Sequence, residues 1–274
     1  HQDIVSDRLS ALFHLPALER GILVVSITSL MHKLPPKHYV LANTLKLKIG
    51  QKLDINRLRE QLVSAGYQSV DAVYEHGEFA VRGSIIDLFP MGSKQPFRID
   101  LWDDEIETLR LFDPETQLSQ GKIDEIRLLP GREYPLDEPG VTKFRNAFRD
   151  RFDVDVRQVP LYQDVSESIA SPGLEYYLAL FFDELNSVFD YLPDSTTLCR
   201  LGRLKDAGDS FWLDIESRYD ERQFDRQRPI LSPAESFIQV DELLREFKRF
   251  RQIEFRQDPA AYSLGSSPLP ALSS

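Results

Sequence analysis

The chain has 274 residues, 42% hydrophobic and 28% charged, with one cysteine and a formal net charge of -11. Such a composition suits a soluble globular protein of one large domain or two ordinary ones. It excludes an intrachain disulfide, a membrane helix (no apolar run approaches the ~20 residues required) and a nucleic-acid grip by overall charge, which needs a basic surface.

A local basic patch stays compatible with that charge, but other proteins or basic surfaces are the expected partners. One cysteine, Cys199, suits the reducing cytoplasm. The start His1-Gln2-Asp3 has no methionine and no signal-peptide pattern, as expected of a segment cut from a longer chain.

In chain order, Ile4, Leu9, Leu12 and Phe13 predict a first helix stopped by Pro16. The apolar run Gly21 to Ser26 predicts a buried strand of a parallel sheet. Ser29 to Lys33 predict a helical turn ended by Pro35-Pro36. Helix, buried strand and helix together predict an α/β layer, with its earlier strands expected before His1. From Thr44 the pattern changes. Leu45, Leu47 and Ile49 alternate with lysines as in a half-exposed strand, and Asp54 predicts the cap of a helix to Ser64 that Gly66 stops.

Three alternating runs come next, between Gly77 and Phe112, the pattern of consecutive antiparallel strands. The first spans Phe79 to Phe89, and the phase slip at Gly83 predicts a bulge. In the second, Phe97, Ile99 and Leu101 share one face while Arg98, Asp100 and Trp102 share the other. The third buries Ile106, Leu109 and Leu111 before the turn at Asp113-Pro114. Ile123, Ile126 and Leu128 predict a last strand before Pro130. Residues 45–129 are thus expected to form an inserted α+β domain on an antiparallel sheet. Its ends should meet at one point of an α/β domain made of 1–44 and 130–256.

Beyond it, Phe144, Phe148 and Phe152 lie at helical spacing in a helix over about 141–152. Residues 173–183 are aromatic-rich, and Thr196 to Cys199 predict a strand with Cys199 as a small core residue. A charged helix is expected over about 204–225, and Asp241 is expected to cap another to Phe250. Residues 257–274, rich in Pro, Ala, Ser, Gly and Leu, are expected to be a linker or disordered tail.

The outward face of the alternating runs holds Arg82, Arg98 and Trp102. Arginine and tryptophan are enriched at binding hot spots because each offers a large contact area and a directional donor. Periodicity alone equally allows a surface tryptophan covered by arginine stems. The cluster Asp103, Asp104, Glu105 and Glu107 is expected to be a solvated connection rather than a metal site. His76 is expected in packing or capping rather than catalysis, and no nucleophile pattern or catalytic triad is legible.

The strings HGEFAVRGSIIDLFP and RIDLWDDEIETLRLFDPETQ resemble the UvrA-contacting domain of UvrB, the damage-verifying subunit of the bacterial excision nuclease. Together with HQDIVSDRLSALFHLP and GLEYYLALFFDE they resemble still more the N-terminal module of the bacterial transcription-repair coupling factors. That resemblance covers His1 to about Arg256. It implies a degenerate UvrB-like, helicase-type α/β layer lacking its N-terminal part, with UvrA bound by Arg82, Arg98 and Trp102. Asp87 and Asp100 are then candidates for orienting the arginines.

Departures from UvrB point the same way. No G-x-x-x-x-G-K-[ST] loop is present. The stretch Tyr191 to Gly202 lacks the acidic pair that comes after the matching strand in UvrB, and residues 131–141 carry only Tyr134 where UvrB has a tyrosine-rich DNA-clamping hairpin. The resemblance therefore implies a non-catalytic adaptor with no cofactor or metal of its own, in which ATP and magnesium serve a motor elsewhere in the full-length protein. RNA polymerase and DNA would be reached through other domains, and a C-terminal domain would mask the UvrA face. The alternatives are a DNA-handling UvrB-like damage-recognition fragment and a structural module that positions the motor.

Overall fold

The structure is a computed structural model that describes residues 2–255; the predicted tail lies outside the described residues. Helix α1 (Gln2–His14) buries Ser6, Leu9 and Leu12 and runs into a short 3-10 turn carrying Pro16. Residues 21–26 form no strand. Ile22 and Val24 are 91% and 89% exposed, so the predicted buried strand is corrected to a surface segment. Periodicity detects that a run is apolar, but a strand also needs a neighbour for its backbone N–H and C=O groups. Here no described strand lies beside it.

Two short helices come after it, α2 (Ile27–Leu30), capped by Ser26, and α3 (Lys37–Ala42). Strand β1 (Leu45–Lys48) leads to α4 (Ile55–Ser64), whose N-cap Asp54 accepts from the amides of Asn56 and Arg57 at 2.8 and 3.0 Å. Leu58 and Leu62 face inward, and Gly66 ends the turn at φ +97°.

A six-stranded sheet comes next, made of β2 (Gln68–Ser69), β3 (Glu78–Arg82), β4 (Ile85–Leu88), β5 (Phe97–Trp102), β6 (Glu105–Phe112) and β7 (Ser119–Ile123), in sequence order. Gly83 is a hairpin turn and not a bulge. Arg82 pairs with Ile85, and Gly83 takes φ +63° at the first loop position, where glycine avoids the Cβ penalty of a II′-like turn. Register irregularities fall instead between Asp100 and Leu101, opposite Glu107, and between Arg110 and Phe112 on the β7 side. The predicted last strand divides: Ile123 ends β7, while β8 (Glu125–Leu128) returns to pair antiparallel with β1.

The β1–β8 ladder brings the start and the end of this sheet region together. Behind the sheet, Leu47, Leu58, Leu62, Phe79, Ile86, Ile99, Leu109 and Ile126 form one core. Tyr67 ties this core to the segment after β8, donating to the Leu129 carbonyl at 2.7 Å. Backbones touch at the same junction. A Cβ on Gly131 would lie 2.8 Å from the Gly66 carbonyl carbon, so glycine is required there.

The rest of the chain is mainly helical. Helix α5 (Glu138–Arg151) buries Phe144 and Phe148 against α6 (Pro160–Ser166) and a 3-10 segment, Leu174–Leu180. Helix α7 (Val188–Tyr191) precedes β9 (Thr197–Leu201), α8 (Leu204–Arg222), α9 (Pro233–Ser236), α10 (Val240–Phe247) and β10 (Arg251–Phe255). Gln239 rather than Asp241 occupies the N-cap of α10, and Asp241 lies in its first turn. Strands β9 and β10 pair in parallel, with every residue of β10 exposed. Cys199 is exposed on β9, which corrects its reading as a core residue. The architecture is thus mixed α and β, with an antiparallel-dominated sheet as its largest β element.

Candidate protein-interaction face

Alternation along the strands gives the six-stranded sheet two chemistries. Phe79, Ile86, Ile99 and Leu109 fill the core, so Ala80, Asp87, Arg98, Asp100, Thr108 and Arg110 take the opposite face. A small apolar cluster of Val73, Ala80, Phe89 and Phe112 covers part of that face and leaves the charged part open.

Two of the predicted residues, Arg82 and Arg98, meet on this face around Asp87, which is 1% exposed. Arg98 lies directly opposite it and donates from Nε at 2.7 Å and Nη2 at 2.9 Å, a two-pronged bond to one carboxylate. Arg82, one hairpin turn away, donates to the same carboxylate from Nη2. The Arg98 Nη1 reaches the Gln117 carbonyl at 3.3 Å and Ser119 Oγ at 3.1 Å, and its guanidinium sits 5.0 Å from the Phe112 ring centroid. Hydrogen bonding to Asp87 raises the Arg98 pKa above its ordinary value, so the charge is locked on. The arginine side chains differ in access, at 49% exposed for Arg82 and 16% for Arg98. Arg82 offers itself outward, whereas Arg98 is largely consumed in holding the face together.

Trp102 ends β5 and is 74% exposed. Asp100 does not hold Arg82 or Arg98, contrary to the orienting role expected from the sequence. It accepts from Thr108 Oγ1 at 2.7 Å and pairs with Arg110 at 3.7 Å. Its cross-strand neighbours are Thr108 and Ile85, and these sit nearer than residues two along its own strand. Arg110 was missed from the sequence, although its alternation with Leu109 and Leu111 carried the signal that places it on this face.

The acidic turn is also accounted for. Lys52 holds Asp104 at 2.8 Å, which lowers the Asp104 pKa and raises that of the lysine. Among the described residues no group of three or more His, Cys, Asp or Glu is arranged to hold a metal ion. His76 bridges α1 to the sheet region, contacting Asp3 at 2.8 Å and the Ser93 carbonyl at 2.7 Å while stacking on Phe89. Between Tyr191 and Gly202 the chain gives a buried tyrosine bonded to the Pro35 carbonyl, a turn and β9, with no acidic pair after the strand.

Glu133 is the buried carboxylate of the helical part. Burial raises its pKa against the opposing pull of Arg8, which lies 2.7 Å away without hydrogen-bond alignment. A carboxyl whose folded pKa lies above its unfolded value destabilises the fold when ionised, and that penalty is relieved as pH falls through the folded pKa. Glu133→Gln is therefore expected to raise stability at neutral pH relative to the parent. The gap should close as the buffer is made mildly acidic, read by denaturant titration across pH.

The UvrB interaction domain family model matches residues 45–134, which hold the whole of this sheet. The transcription-repair-coupling factor of Haemophilus influenzae is 43% identical over 272 residues, covering 98% of this chain. That of Escherichia coli is 41% identical over 278 residues, covering 99%. The counterpart in Bacillus subtilis is 27% identical over 210 residues. The chain spans 24% of the length of the first two relatives. No helix among the described residues is long and apolar enough to cross a membrane. With a UvrB interaction domain match and such identity along nearly all of its length, the chain belongs to the transcription-repair-coupling factor family.

Proposed function

We propose that this chain is a non-catalytic adaptor module that binds UvrA through the charged face of its six-stranded sheet. Within a full-length coupling factor it recruits UvrA to RNA polymerase stalled at a DNA lesion, in the cytoplasm. The reading rests on one observation: Trp102 stands exposed at the end of the strand that also carries Arg98, on a sheet where a single buried carboxylate fixes two arginines in place. A flat apolar anchor next to pre-oriented guanidinium groups is the composition of a binding hot spot, and the fold itself does not use the tryptophan.

In this proposal residues 45–129 are the contact unit. Residues 1–44 and 130–256 form a degenerate UvrB-like α/β domain that carries it, with no cofactor or metal of its own. ATP and magnesium serve a motor in another part of the full-length protein, which handles DNA and polymerase, and a C-terminal domain masks the UvrA face at rest. Equilibrium titration with UvrA tests the reading. The parent is expected to bind, and Arg82→Ala to bind roughly tenfold more weakly, since a charge-assisted bond from an accessible arginine is lost. A folded parent that does not bind UvrA ends the proposal.

A further inference from the structure

The pairing register places Asp87, Arg98, Arg110 and Lys122 side by side across β4, β5, β6 and β7. Residues directly opposite one another share a face, so these four side chains form one row. At the usual strand spacing of ~4.8 Å the row spans about 15 Å. Its first two members are committed to each other. Its last two are less engaged: among the described residues Arg110 donates no side-chain hydrogen bond, its Nε meets Asp100 only as a long ion pair at 3.7 Å, and its side chain is 38% exposed. Lys122 is exposed, and among the described residues its side chain has no ion pair or hydrogen bond.

We propose that the contact face continues over β6 and β7, with Arg110 and Lys122 as further recognition residues for an acidic protein surface. The inference rests on the adaptor reading and deepens it by naming the partner's chemistry. The exposed part of the Arg110 guanidinium is open to a carboxylate arriving from outside, which can make charge-assisted bonds with it. Carboxylates set about one strand spacing apart would meet Arg110 and Lys122 together. A nucleic-acid backbone fits less well. Asp87 opens the row, Asp100, Glu105 and Glu107 lie further along β5 and β6, and the chain as a whole carries -11.

The experiment is titration of the intact chain with UvrA at several salt concentrations, comparing the parent with Arg82→Ala, Arg110→Gln and Lys122→Glu, each checked for an unchanged melting temperature. Lys122→Glu is expected to weaken binding roughly tenfold, and Arg110→Gln by a similar factor with a shallower salt dependence. Because Lys122 is exposed and unpaired, its variant keeps the test valid even if Arg110→Gln fails to fold. If Lys122→Glu binds as the parent does while Arg82→Ala is impaired, the extension is overturned and the adaptor reading stands. A parent that does not bind overturns both. Loss of duplex-DNA affinity in Lys122→Glu, with UvrA binding unchanged, gives the row to nucleic acid and also overturns the proposal.

Discussion

Replacing Asp87 with alanine is expected to cost about 3–5 kcal/mol of folding stability, the usual cost of breaking a buried ion pair from one side. The carboxylate is fully covered and accepts from two arginines. Without it, Arg98 keeps a charged guanidinium in a site only 16% exposed, with one carbonyl and one hydroxyl as remaining acceptors. Arg82 contributes less to the loss because half of its side chain is already in water, where the charge is screened. Asp87→Asn keeps the shape and removes the charge, so most of the effect should persist. Urea titration of both variants reads the outcome, and an unchanged midpoint in Asp87→Ala would mean that the bracket adds nothing to the fold. Arg98→Ala is a poor probe of binding for the same reason, since it disrupts the bracket before any partner arrives.

Trp102→Ala is expected to behave in the opposite way. The side chain is 74% exposed, so its removal opens no cavity and should leave the melting temperature within about a degree of the parent. Binding to UvrA should fall by ~2 kcal/mol or more, about thirtyfold, as is typical of a central aromatic anchor. Calorimetric titration beside a melting curve separates the two readouts. Equal affinity in a folded Trp102→Ala protein would remove the tryptophan from the interface and leave the face to its charges alone.

Much of the sheet was legible because antiparallel strands with one buried face carry a period of two. Phe97 to Trp102 announces both its faces in six letters, and short hairpin connections then set the register. Helix α4 was equally legible, since Asp54 and Gly66 are local signals at its two ends. The errors share a cause. Gly21 to Ser26 is as apolar as a core strand, yet apolarity does not provide a neighbouring strand. Cys199 sits in a correctly predicted strand, but the burial of a strand depends on the elements packed over it. Gly83 marks a break in phase, and a bulge and a two-residue turn produce the same break.

The candidate site divides along the same line. From its sequence alone the chain determined which residues alternate, and so which side chains leave the core: Arg82, Arg98, Trp102 and, on the same logic, Arg110. Local periodicity is enough for that, because the pleat sends successive side chains to opposite faces whatever the strand pairs with. Tertiary structure alone decided that Asp87, and not Asp100, holds both arginines, and that Arg98 is buried in the bracket while Arg82 and Trp102 stay open. It also aligned Arg110 and Lys122 with Asp87 and Arg98. Those facts depend on cross-strand register between residues many positions apart, and no repeat within a single strand encodes which residue of its neighbour it will face.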